Sequence, residues 1–138
     1  MAARILIIED DLASRELLGY LLGSAGYEVH SAQNGAQGLR LAGEQVPDLI
    51  VCDLQMPVLN GFEFLQQLRA TPHLAEIQVI AVTAFSMPGD RAKVLAAGFE
   101  AYLSKPVDPV TFVDSIEAFL PAARLSQRDR PDGSAVSR

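Results

Sequence analysis

Sulfur and indole are scarce in this chain, with one cysteine, Cys52, and no tryptophan among 138 residues. A lone thiol excludes an internal disulfide and cannot build a zinc site by itself. Inside an apolar run it reads as a buried structural thiol, because a reactive cysteine sits in an exposed, electropositive surrounding. No apolar stretch reaches the roughly 18 residues that a membrane-spanning helix needs. Ile5 to Ile8 is too short for the apolar part of a signal peptide and runs at once into acids, so a cytoplasmic location is expected. A glycine-rich phosphate cradle of the P-loop type is missing, and binding of ATP by the chain itself is not expected. Positive charge is also in short supply: 11 Lys+Arg against 17 Asp+Glu leave a net charge of −6. That balance argues against nonspecific nucleic-acid binding by the globular body. The deficit is uneven, with −8 over residues 1–120 and +2 over residues 121–138, where four Arg meet two Asp. This polar basic tail lacks aromatics and periodicity and reads as a disordered end beyond a single domain of residues 1–120.

What the chain does have is alternation. At 49% hydrophobic and 20% charged residues it has the composition of a domain able to bury a core. Leu49-Ile50-Val51-Cys52-Asp53 is an apolar run ended by a carboxylate, the pattern of a strand covered on both faces. Similar runs occur at Arg4-Ile8, Val79-Thr83 and Ala101-Ser104, and Tyr27-Ala32 alternates as a more exposed strand would. Between them lie helical stripes: Leu17, Leu18, Leu21, Leu22 and Ala25; Ala36, Leu39 and Ala42; Phe62, Leu65 and Leu68; and Phe112, Val113, Ile116, Phe119 and Leu120. The fourth helix, Arg91 to Ala97, has a thin apolar face of Val94, Leu95 and alanines, the mark of a weakly anchored element. Asn34-Gly35 reads as a turn, Asp11 as a turn or helix-start residue, and Gly26 and Gly98 as stops. Five strands alternating with five helices predict a doubly wound α/β domain with a five-stranded parallel sheet.

Four of the strands finish on hydrophilic groups: Glu9-Asp10, Asp53, Thr83 and Lys105. Taken singly, a strand threonine is filler, a terminal lysine is solvated and an acidic loop is a solubilising turn. In a parallel sheet, however, all four ends share the carboxyl edge, where ligands of open α/β sheets bind. Clustered carboxylates raise one another's pKa unless a cation intervenes, and Mg²⁺ suits oxygen donors of this kind. A carboxylate nucleophile, a metal, an ammonium and a hydroxyl are the parts that phosphoryl transfer to aspartate requires.

With these residues the chain resembles a receiver domain of two-component response regulators across roughly residues 3–120. The matching pieces are Ile-Leu-Ile-Ile-Glu9-Asp10-Asp11, Cys52-Asp53-Leu-Gln-Met-Pro57 with Asn60-Gly61, Ala81-Val82-Thr83-Ala84, and Tyr102-Leu-Ser-Lys105-Pro106. The resemblance implies a flavodoxin-like (β/α)5 fold with strand order 2-1-3-4-5. It also implies that Asp53 accepts a phosphoryl group from a sensor histidine kinase or histidine phosphotransfer protein. Asp10 and Asp53 would hold Mg²⁺ directly, Glu9 largely through water, and the backbone carbonyl of Gln55 would add to the metal shell. Lys105 would hold a phosphoryl oxygen, and the Lys105-Pro106 bond would be cis.

The family resembled also implies a switch, in which Thr83 moves toward the phosphoryl group and Tyr102 turns inward. Residues 91–97, the fifth strand and the last helix would respond as a protein–protein output face, with a phosphorylation-dependent dimer as one outcome. Gln55 and Phe85 occupy positions that in the family resembled tune hydrolysis, and an apolar Phe85 cannot orient water, so a long-lived phosphoryl state is expected. His30 and His73 match no phosphotransfer position and are expected at the surface. Two other readings compete. One is the receiver half of a DNA-binding regulator; the other is a Mg²⁺-dependent phosphohydrolase, which would want an Asp where Gln55 stands.

Overall fold

Short apolar runs bounded by turn residues can bury both faces only in the middle of a layered sheet, and those at Arg4–Ile8, Leu49–Asp53 and Gln78–Thr83 do so here. In the computed structural model, which describes residues 3–56, 58–84 and 89–120, all five runs form a single parallel sheet. Phe85 and residues 121–138, on which the hydrolysis and tail expectations rest, lie outside the described residues. The elements run β1 (Arg4–Ile8), α1 (Leu12–Ser24), β2 (Glu28–Ala32), α2 (Gly35–Gln45), β3 (Leu49–Asp53), α3 (Gly61–Arg69), a 3₁₀ turn (Pro72–Leu74), β4 (Gln78–Thr83), α4 (Asp90–Ala96), β5 (Ala101–Ser104) and α5 (Phe112–Glu117). Strand order is β2-β1-β3-β4-β5. The doubly wound, flavodoxin-like expectation is met.

Strand alternation divides the core into two halves. Leu6, Ile8, Ile50, Cys52, Val79 and Ala81 face one layer, where Phe64, Leu65 and Leu68 of α3 and Val94 of α4 meet them. Ile5, Ile7, Leu49, Val51, Ile80 and Val82 face the other, under Leu18 and Leu22 of α1 and Phe112 and Ile116 of α5. Each Val, Leu, Ile or Phe among them contributes about 1.5–3 kcal/mol on burial. β3 has all five residues buried, whereas β2 at the sheet edge buries only Ala32. The run that looked most continuous in the sequence is therefore the centre of the sheet.

Local chemistry sets the helix starts. Asp11 caps α1, its carboxylate accepting from the Ser14 amide at 2.9 Å, and that bond lowers its pKa. Asn60 caps α3 in a reciprocal box with Glu63. Gly61 follows because nothing larger fits: a Cβ there would lie 2.8 Å from the Asp53 carbonyl and 2.9 Å from the Leu54 Cα. Gly98, at φ 113°, turns the chain out of α4 where a side chain would be strained.

Four expectations shift. Asn34-Gly35 is a helix start and not a turn, because the Asn34 side chain accepts from the Gln37 amide and Gly35 already belongs to α2. Leu17 is 41% exposed, since the apolar stripe of α1 is wider than the face that the sheet covers. In α3 the fully buried aromatic is Phe64, while Phe62 lies at the rim of the core. The last helix also ends early, at Glu117, although Phe119 and Leu120 continue its packing. Pro121 disfavours helical geometry in the residue before it.

Candidate functional site

β1 and β3 are neighbours at the point where the strand order reverses, and such a switch point leaves a crevice at the carboxyl edge. Register fixes what stands there. Ile8 pairs with Cys52, so Glu9 and Asp53 are the next residues on adjacent strands. Asp10 follows on the loop into α1. Glu9, Asp10 and Asp53 each bring a carboxylate oxygen to within 4.8 Å of the others. Glu9 is 1% and Asp53 4% exposed, whereas Asp10 is open to solvent. Two buried carboxylates beside a third are costly to leave unpaired.

Lys105 answers that cost. It follows β5, and its backbone amide donates to the Thr83 carbonyl at 2.9 Å across the strand pair. From there its ammonium reaches back over β4 to Glu9 Oε1 at 2.8 Å and Asp53 Oδ2 at 3.3 Å. The Lys105-Pro106 bond is cis, as expected. Burial works against the charged amine, but the Glu9 hydrogen bond and the Asp53 charge outweigh it and hold the Lys105 pKa above its ordinary value. Glu9 is pushed up chiefly by burial, against hydrogen bonds from Lys105 and from the Asp11 amide. That amide donates to Glu9 Oε2 at 3.1 Å, and Arg15 donates to the Glu9 carbonyl at 2.9 Å. The direct Glu9–Lys105 pair is the contact that sequence reasoning missed. Only the meeting of β1 and β5 residues over the sheet edge reveals it.

Asp53 has a second support: the Gln55 amide donates to its Oδ1 at 3.1 Å. One carboxylate oxygen thus faces Lys105 and the other a backbone donor. Gln55 itself is exposed, and no Asp stands at its position, so the pairing of acids that a phosphohydrolase would want is not present there. Thr83 is fully buried at the end of β4, one residue beyond Val82, the register partner of Asp53. Tyr102 lies deeper on β5, paired with Ala81, and packs against the α3–α4 half of the core. The site therefore gathers Glu9, Asp10, Asp53 and Lys105, with Gln55 and Thr83 at its margin and Tyr102 behind it. Cys52 adjoins Asp53 but is wholly buried in the opposite layer, where burial pushes its thiol pKa up. It is structural, as expected.

Oxygen donors of this kind suit a hard divalent cation. Among the described residues no helix is long and apolar enough to cross a membrane. Residues 5–117 match the family described as the response regulator receiver domain. The polar-differentiation response regulator DivK of Brucella anthropi is 39% identical over 120 residues, covering 87% of this chain and 98% of that protein. Among solved structures, the chemotaxis response regulator CheY4 of Vibrio cholerae superposes with a TM-score of 0.81 at 29% identity, over 87% of this chain and all of that one. The receiver domain of the sensor histidine kinase PA1611 from Pseudomonas aeruginosa PAO1 has a TM-score of 0.78 at 31% identity, over 86% of this chain and 98% of its own; a magnesium ion is coordinated in its active-site cleft. Sequence match, strand order and a lysine drawn over clustered carboxylates agree: this chain belongs to the response regulator receiver domain family, as a signalling domain of two-component systems and not a conventional enzyme.

Proposed function

We propose that Asp53 is the phosphoryl acceptor and that a phosphohistidine, on a sensor histidine kinase or a histidine phosphotransfer protein, is the donor. The observation that carries this reading is the Lys105 ammonium, 3.3 Å from the Asp53 carboxylate and 2.8 Å from Glu9. In the transfer, an Asp53 oxygen forms the new P–O bond as the donor's P–N bond breaks. The electron pair stays on the imidazole nitrogen, which takes up a proton from water. Asp53 is held for this by the Gln55 amide on one oxygen and Lys105 near the other. Lys105 neutralises charge that accumulates on the transferred group, a preorganised electrostatic role.

Asp10 and Asp53, with the Gln55 carbonyl, would hold Mg²⁺, and Glu9 would act on it largely through water. The ion, when bound, supplies charge neutralisation for the phosphoryl oxygens. Phosphorylation adds roughly one negative charge and new acceptor oxygens at a buried position. Thr83, at the neighbouring strand end, answers with its hydroxyl, and Tyr102 moves in the same layer. The α4-β5-α5 face then changes its population of two arrangements, by a coupling of about 1–3 kcal/mol, and presents itself to a protein target or a second copy. In this reading residues 1–120 form the receiver domain, residues 121–138 a basic tail, and the setting is cytoplasmic.

Beryllofluoride with Mg²⁺ tests the assignment as a mimic of the acyl phosphate. Amide resonances of Thr83 and Tyr102 should shift in the wild type and stay put in Asp53→Asn. Equal responses in both proteins remove Asp53 from the role.

A further inference from the structure

The three carboxylates of the cleft are held by unequal means. Glu9 accepts from Lys105 and from the Asp11 amide, and Asp53 accepts from Lys105 and from the Gln55 amide. Asp10 is exposed, and among the described residues nothing donates to its side chain. Its carboxylate nevertheless brings an oxygen to within 4.8 Å of the other two, where like charges push it outward. Something other than its own side chain keeps it there.

A residue has two soft backbone dihedrals, so the direction of its Cβ is set once the peptide planes on either side are held. Both planes around Asp10 are held, and Arg15 is the side chain common to them. Its Nη1 donates to the Glu9 carbonyl at 2.9 Å, in the plane before Asp10, and reaches the Asp10 carbonyl at 3.5 Å, in the plane after it. The Asp11 amide of that second plane also donates to Glu9 Oε2 at 3.1 Å. Arg15 stands one turn beyond the Asp11 cap, its own amide donating to the Asp11 carbonyl at 2.9 Å. Helical side chains lean toward the helix N-terminus, and that lean carries the guanidinium back over the loop.

The placement goes against a simple preference, which makes it informative. A cation near a helix N-terminus opposes the helix dipole. Among the described residues no carboxylate forms an ion pair with Arg15 to offset this. Its donors go instead to main-chain carbonyls of the loop that carries Asp10. Two effects on a divalent cation then oppose each other. The guanidinium charge repels the ion, and the grip on the loop favours it by holding a ligand in place. Because the signs differ, the affinity for Mg²⁺ tells which effect governs.

We propose that Arg15 is a positioning residue for the metal site: its grip on the Glu9 and Asp10 carbonyls presents the Asp10 carboxylate to Mg²⁺. The proposal rests on Asp10 being a metal ligand, and the experiment separates the two. Mg²⁺ is titrated into the wild type, Arg15→Met, Arg15→Lys, Asp10→Asn and the double variant Arg15→Met with Asp10→Asn. The dissociation constant is read from amide shifts of the acidic loop, and each metal-free protein is melted in parallel, so that loss of fold is not taken for loss of affinity. Arg15→Met should bind Mg²⁺ about tenfold more weakly, the effect usual on removing a group that orients a ligand. Arg15→Lys keeps the charge but not the reach to two carbonyls, and it should weaken binding as well; it carries the same test if the apolar replacement unfolds the chain. In the Asp10→Asn background the effect of Arg15→Met should vanish, because Arg15 acts through Asp10. The Asp11 amide should exchange faster in metal-free Arg15→Met than in the wild type. An Mg²⁺ affinity unchanged or raised in both Arg15 variants overturns the proposal, whatever their melting temperatures. An equal loss with and without the Asp10 carboxylate overturns it too. Asp10→Asn binding Mg²⁺ as tightly as the wild type overturns the place of Asp10 as a ligand.

Discussion

Helices α3 and α4 cover the same face of the sheet but are held by unequal means. α3 begins in a complete capping box, buries Phe64, Leu65 and Leu68, and anchors its far end through Arg69, which donates to the carbonyls of Ala75 and Ile77 and pairs with Glu100 at 3.3 Å. α4 begins at Gly89, which has φ 89° and no side chain to cap with, and buries Val94 alone while Leu95 is 39% exposed. The two meet through Phe62, whose ring lies edge-on to Phe99 with centroids 5.8 Å apart and beneath Lys93 Nζ at 5.9 Å. Local opening is easiest where buried apolar contacts are few. The helix that follows β3 is therefore the fixed one, and the helix beside β5 is the one free to change its position.

The contrast can be broken most severely in the core. Phe64→Ala should destabilise the fold by about 3–5 kcal/mol, whereas Val94→Ala should cost roughly 2 kcal/mol or less from the two methyl groups lost. Denaturant melts of the two variants, with amide exchange on the wild type, check this. Amides of α4 should exchange ahead of those of α3, and equal protection would erase the distinction. A smaller effect is expected at the helix starts. Asn60→Ala should cost about 1 kcal/mol by removing the cap of α3, and no equivalent side-chain loss exists at Gly89. Smallest of all, Lys93→Met should change stability by about 0.5–1 kcal/mol through the contact with Phe62. A double-mutant cycle with Phe62→Leu isolates that coupling, and its vanishing would show that the ring does not tie the helices together.

Much of this architecture was legible in the chain because parallel strands buried on both faces write themselves as continuous apolar runs. The polar residues ending those runs, Glu9, Asp53, Thr83 and Lys105, were visible for the same reason. Strand order was not legible from the runs; it entered through the family resemblance, since periodicity carries no neighbour information. Asn34 was misjudged because an asparagine before a glycine suits both a hairpin turn and a helix cap, and only the chain beyond distinguishes them. The Glu9–Lys105 ion pair and the bond from the Tyr27 hydroxyl to Glu117 join residues far apart in sequence. Such contacts exist only after the sheet has assembled. Val58 has a left-handed φ of 72°, which was also hidden, since nothing in the residues Val58-Leu59-Asn60 announces it.

The missing side chain at Gly61 has a mechanical consequence. With the first turn of α3 pressed against the Asp53 carbonyl, that side of Asp53 has no room to yield. Under the proposal that Asp53 is phosphorylated, the added anion pushes sideways, across β4 toward β5, so that the direction of the signal is set by where the molecule has no slack.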